Sequence, residues 1–86
     1  MAGKTGPTKE DARTFLKRLQ QVMAGRTLDN WISVRDIVRE MGECHNIPEK
    51  RCLFLLEKWA GCGWYEYGVS LDLGWLTEEG MALEVN

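Results

Sequence analysis

Two short strand-forming runs near the C-terminal end constrain this chain most. Trp64-Tyr65-Glu66-Tyr67 and Leu73-Gly74-Trp75-Leu76 carry aromatic residues of high strand propensity. Gly68-Val69-Ser70-Leu71-Asp72 lies between them and can turn, so the pair predicts one antiparallel β-hairpin. A lone hairpin is at best marginally stable in water. It must therefore close onto the residues before it, and those carry helical periodicity.

Three helices are expected there. Thr8 opens the first, and Asp11 three residues later completes a capping-box pattern. Ala12, Phe15, Leu16, Leu19, Val22 and Met23 follow at helical spacing, and Gly25 ends the run. Lys9, Arg13, Lys17, Arg18 and Gln20 form its outer face. Ser33 and Asp36 repeat the capping logic ahead of Val34, Ile37, Val38 and Met41, a stripe at i, i+3, i+4 and i+7. Gly42 is read as the stop of this second helix, with Glu43-Cys44-His45-Asn46 as a connection. Pro48 fits the first turn of a third helix reaching about Ala60. Cys52, Leu53, Leu55, Leu56, Trp59 and Ala60 share its inner side, while Lys50, Arg51, Phe54, Glu57 and Lys58 share the other. Phe54 is thus an aromatic residue turned away from the core. Gly61 and Gly63 end this helix. Trp31-Ile32 has room only for a minimal strand at the hairpin edge. Thr77-Glu78-Glu79-Gly80 caps a last helical turn, with Met81, Leu83 and Val85 packing back. The expected fold is mainly α with a small antiparallel β-hairpin, a single domain over residues 8–86 behind a flexible leader, residues 1–7.

Helix, short strand, helix, helix, hairpin is an order that resembles the winged helix-turn-helix superfamily. Leu56-Glu57-Lys58-Trp59-Ala60-Gly61-Cys62-Gly63-Trp64-Tyr65-Glu66 is similar to that family's third helix and first wing strand, and Trp75-Leu76-Thr77-Glu78-Glu79-Gly80 to its exit from the wing. Ser33 to Gly42 looks like the family's second helix. The resemblance covers most of residues 12–83. It implies a winged-helix-like three-helix domain that binds duplex DNA, with the third helix in the major groove and the wing on nearby backbone. The reading helix would present Lys50, Arg51, Phe54 and Lys58, with Arg35 and Arg39 of the second helix approaching phosphates. Arg51 would suit a guanine edge and Phe54 a thymine methyl.

Charge distribution cuts against that implication. Residues 1–58 hold all 11 Lys and Arg against eight acids, a balance of +3, whereas residues 59–86 hold five acids and no cation, −5. The wing Gly68–Gly74 carries Asp72 and no cation, so it would repel phosphate. The connection before the third helix also exceeds the usual tight turn. A second function class therefore stands beside DNA-binding transcription regulation: an acidic winged-helix interaction module or inhibitor, of a phage or mobile-element kind. It would dock Phe54, Asp72, Glu78 and Glu79 on a basic protein surface. As a DNA binder, so small a domain would gain affinity by forming a homodimer.

Other classes find little support. Cys44, His45, Cys52 and Cys62 lack the paired spacing of a zinc site, so no metal or other cofactor is expected. No motif supplies a nucleophile with its base and oxyanion donors, which argues against an enzyme and leaves no catalytic residue to name. Trp31, Trp64 and Trp75 are expected to pack across the small sheet and Trp59 in the core, rather than to form a stacking platform for single strands. No apolar run nears the ~20 residues of a membrane span, and the N-terminus lacks a secretory signal. Three cysteines suit a reducing compartment, so a cytoplasmic protein without membrane contact is expected.

Overall fold

The computed structural model describes residues 8–26 and 32–84. The expected leader, Trp31 and Val85 lie outside them. Helix α1 (Lys9–Ala24), α2 (Val34–His45) and α3 (Glu49–Gly61) precede strands β1 (Tyr65–Tyr67) and β2 (Gly74–Leu76), and a short α4 (Glu78–Ala82) follows. The protein is mainly helical with a small two-stranded antiparallel sheet, a winged-helix-like arrangement.

Both capping boxes form. The Thr8 hydroxyl accepts the Asp11 N–H at 3.0 Å, and Ser33 accepts that of Asp36 at 3.2 Å; each carboxylate reaches back to the cap N–H. The apolar stripes then close one core, in which Phe15, Leu19, Ile37, Met41 and Leu56 are fully buried. The Phe15 and Trp59 rings meet with centroids 5.6 Å apart.

Gly42 does not end α2. The helix runs three residues further and closes at Asn46, which takes a left-handed conformation (φ 60°). Asparagine tolerates that region at little cost, and the reversal brings the Ile47 N–H to the Met41 carbonyl at 3.1 Å. It also drops Ile47 into the core, 2% exposed. Burial of Ile47 offsets the cost of a helical glycine, about 1 kcal/mol. Glu43, Cys44 and His45 are therefore helical. Pro48 occupies the cap position before α3, its carbonyl accepting the Arg51 and Cys52 N–H groups. At the far end Gly63 (φ 83°) takes the left-handed turn, and the Trp64 N–H returns to the Trp59 carbonyl at 2.9 Å.

The hairpin register pairs Tyr65 with Leu76, Glu66 with Trp75 and Tyr67 with Gly74. Tyr65 and Leu76 point into the core; Trp75, opposite Glu66, points outward and is 46% exposed. Trp75 thus departs from the expected packing under the sheet, because side chains alternate along a strand and its two neighbours, Gly74 and Leu76, take the buried face. Trp64 is half-buried and Trp59 is core, as expected. Ile32 belongs to no strand; its carbonyl instead accepts from the Arg26 guanidinium at 2.7 and 3.2 Å.

The Thr77–Gly80 exit joins the end of the hairpin to the turn that follows α3. The Thr77 hydroxyl caps α4 by accepting the Gly80 N–H at 3.1 Å and donates to the Gly63 carbonyl at 2.8 Å. The Thr77 N–H bonds the Trp64 carbonyl at 2.9 Å, and a Cβ at Gly80 would overlap that same carbonyl oxygen. Met81 and Leu83 pack against the core, and Gln20 of α1 donates to the Gly80 and Leu83 carbonyls.

Candidate functional site

The exposed side of α3 is the first surface to weigh. Lys50, Phe54 and Lys58 stand on it as the periodicity predicts, and Phe54 is 54% exposed. Arg51 does not join them freely. It lies at the edge of the face, partly buried, with its guanidinium 3.2 Å from the Asp11 carboxylate at the start of α1. The Asp11 that caps α1 thus also holds α3.

Arg35 and Asp72 are likewise engaged with each other. The Arg35 guanidinium donates to both Asp72 carboxylate oxygens, at 3.0 and 3.3 Å, and the Ser70 hydroxyl donates to the same carboxylate. The Arg35 and Ser70 hydrogen bonds hold the Asp72 carboxyl below its usual range, and the Asp72 carboxylate holds Arg35 above its own. This pair ties the wing tip to the first turn of α2. Arg39 is more open; its nearest carboxylate, Asp36, is 4.0 Å away. A shallow groove of about 300 Å³ between α2 and α3 is lined by Arg35, Arg39, Glu43 and Glu49, two charges of each sign. Together α2 and α3 carry five Lys or Arg against five acids. The α2–α3 pair is electrically balanced.

The residues expected to dock a partner are not gathered at one place. Phe54 is on α3, Asp72 is at the wing tip, and Glu78 and Glu79 lie exposed in α4 beyond the opposite end of the hairpin. What the hairpin displays instead is apolar. Val69 at the tip is 97% exposed, Leu73 42%, Trp75 46% and Tyr67 45%. Leu73 and Trp75 share the outward face, and Tyr67, paired with Gly74, lies on the other. Sequence reading missed this exposure, although the alternation Leu73-Gly74-Trp75-Leu76 already separates Leu73 and Trp75 from the buried pair.

The wing is held from beneath. The buried Tyr65 hydroxyl donates to the Leu71 carbonyl at 2.6 Å, and the Leu73 N–H bonds the Ser70 carbonyl at 3.0 Å. Gly74 passes so close that a Cβ there would overlap the Glu66 carbonyl and crowd the Tyr65 hydroxyl. The patch therefore stands on a fixed turn.

Cys52 is fully buried, and desolvation, with smaller contributions from Asp11 and Glu49, pushes its thiol up to about 12. Cys44 and Cys62 are exposed free thiols. Among the described residues no three His, Cys, Asp or Glu side chains converge as a metal site, and no helix is long and apolar enough to cross a membrane. Comparison with protein families, curated proteins and solved structures finds no match for this chain.

Proposed function

We propose that this protein is a small, non-catalytic interaction module that docks through its hairpin on a partner protein whose surface is basic and contains an apolar recess. One observation carries the reading. Among the described residues, four of the five exposed large apolar side chains sit on the hairpin, and no Lys or Arg lies anywhere in residues 59–86. Leu73 and Trp75 share the outward face beside the exposed tip residue Val69, while Tyr67, in register with Gly74, lies on the other face of the hairpin. Exposed apolar groups on a fixed scaffold mark a contact surface. Trp75 and Tyr67 are residue types enriched at interface hot spots. Glu66, Glu78 and Glu79 supply a one-signed rim that steers a basic partner and excludes acidic ones. Asp72 serves this surface indirectly, by anchoring the tip to Arg35. An inhibitor acting in a reducing, cytoplasmic setting fits the reading, with Cys44 and Cys62 remaining thiols.

A second reading is favoured by Lys50 and Lys58, which flank the exposed Phe54 without an ion pair among the described residues. In it the protein is a duplex-DNA-binding regulator with α3 as reading head. Its electrostatic drive is small, because Glu49 and Glu57 share that helix.

Photo-crosslinking separates the two. A benzophenone side chain in place of Val69 should give one saturable adduct in lysate. The partner, identified by mass spectrometry and purified, should lose about tenfold or more in affinity for Trp75→Ala and bind Glu78→Lys/Glu79→Lys more weakly. A partner indifferent to both variants removes the docking reading. Duplex binding abolished by Lys50→Ala/Lys58→Ala, without a Val69 adduct, replaces it with the second.

A further inference from the structure

The positive balance of the chain resides in α1. Lys9, Arg13 and Lys17 recur every four residues along its exposed side, and Arg13 and Lys17 form no ion pair among the described residues. Four residues rise about 6 Å along a helix, so the three cations make a ridge about 12 Å long. On each strand of duplex DNA phosphates recur every ~3.4 Å of helix axis and lie farther apart along the winding backbone, so a ridge of that length faces about three. Beside it runs a shallow groove of about 300 Å³ lined by Arg13, Thr14, Lys17, Arg18, Gln21 and His45. Each of these side chains can donate a hydrogen bond and none is acidic. Arg18 is partly neutralised by Glu40 at 3.0 Å, and Glu10 is the one acid on the outer side of the first turn.

We propose that the outer face of α1, continued by His45 at the end of α2, is a binding site for the phosphate backbone of duplex nucleic acid. The extended spacing of the cations favours a polyanion over a single phosphate group. Lys9, Arg13 and Lys17 contact phosphate oxygens, and Thr14, Arg18 and Gln21 add hydrogen bonds. Contacts of this kind position a protein on a duplex without reading its sequence. The site does not depend on the hairpin docking. His45 and Arg35 stand at opposite ends of α2, roughly 15 Å apart along its axis, so the groove and the wing tip can be occupied together.

Fluorescence anisotropy with a labelled duplex of arbitrary sequence, about 20 base pairs long, tests the site. If Lys9, Arg13 and Lys17 neutralise three phosphates, affinity falls about 40-fold between 50 and 200 mM salt. Arg13→Glu/Lys17→Glu, checked for folding by circular dichroism, should weaken binding at least tenfold, while Lys50→Ala/Lys58→Ala stays within about twofold. Absence of binding at about 20 mM salt overturns the proposal. So does a loss through Lys50 and Lys58 as large as that through Arg13 and Lys17, and so does binding to phosphatidylserine vesicles in place of the duplex. None of these outcomes bears on the Val69 crosslink, so the two proposals fail separately.

Discussion

Replacing Tyr65 with Phe removes one hydroxyl from under the wing and leaves the ring. That hydroxyl is buried with a side chain 1% exposed, and it donates to the Leu71 carbonyl at 2.6 Å. Losing a buried hydrogen bond while its acceptor stays in place costs about 1–3 kcal/mol. Leu71 is only half-buried, so water can reach its carbonyl, and the loss should fall near the lower end, about 1 kcal/mol. Unfolding entropy near 2.1 cal/mol/K per residue gives an 86-residue chain about 0.18 kcal/mol/K, so Tm should drop by about 5–6 °C at pH 7. The same substitution carries a pH signature. Burial pushes the Tyr65 phenol well above its ordinary range, with Asp72 adding to the rise while Arg26 and the Gly74 backbone oppose it. A group whose pKa is raised by folding contributes stability that is complete below its unfolded value, about 10 here, and lost as pH rises through the folded value. Wild-type protein should therefore lose stability above pH 10 more steeply than Tyr65→Phe. Cys52 also loses its contribution from about pH 9 upward, equally in both proteins, and drops out of the difference. Urea unfolding followed by tryptophan fluorescence at pH 7, 9.5 and 11 measures all of this. Equal stability at pH 7 together with parallel decline to pH 11 would refute the reasoning.

Three further outcomes are expected. Asp72→Asn should leave the melting temperature little changed but speed proteolysis within residues 68–73, because it frees the tip from Arg35; wild type should show the same loosening as pH falls through the depressed Asp72 pKa, its contribution being complete above the unfolded value near 3.8. Gly80→Ala should destabilise by more than about 2 kcal/mol through the Trp64 carbonyl, whereas Gly61→Ala, with open space around it, should stabilise by about 0.4–1 kcal/mol; chemical denaturation distinguishes the signs. A colorimetric thiol reagent should modify Cys44 and Cys62 in the native protein and reach Cys52 only on unfolding.

Features that depend on residues a few positions apart were legible in the chain. The two capping boxes, the inner face of α3, the outward Phe54, the hairpin and the cap at Thr77 all follow from local spacing. The end of α2 was not, since Gly42 carries a local stop signal and only the burial of Ile47 overrules it. Nor was the availability of the candidate cations. Arg35 and Asp72 are 37 positions apart and Arg51 and Asp11 are 40 apart, and nothing local couples such pairs. Those two contacts, with Asp36 4.0 Å from Arg39, leave Lys50, Phe54 and Lys58 of the expected DNA-reading set of Lys50, Arg51, Phe54, Lys58, Arg35 and Arg39 without a close carboxylate, and they remove Asp72 from the expected docking set.

The cations of the α1 face and the carboxylates of the C-terminal third also give the molecule two surfaces of opposite charge. The hairpin tip lies at the N-terminal end of α2, where Asp72 meets Arg35, and the basic groove reaches its C-terminal end at His45. The macrodipole of α2 is positive toward the wing and negative toward His45, so each end of the helix faces charges that suit it. Two copies in dilute buffer then attract head to tail, the acidic surface of one against the basic surface of the next. Such a contact is heterologous and does not close on itself, so it leads to short open chains rather than to a symmetric pair. Light scattering should detect this attraction at low ionic strength and its disappearance near 0.1 M salt, where the screening length falls to about 10 Å.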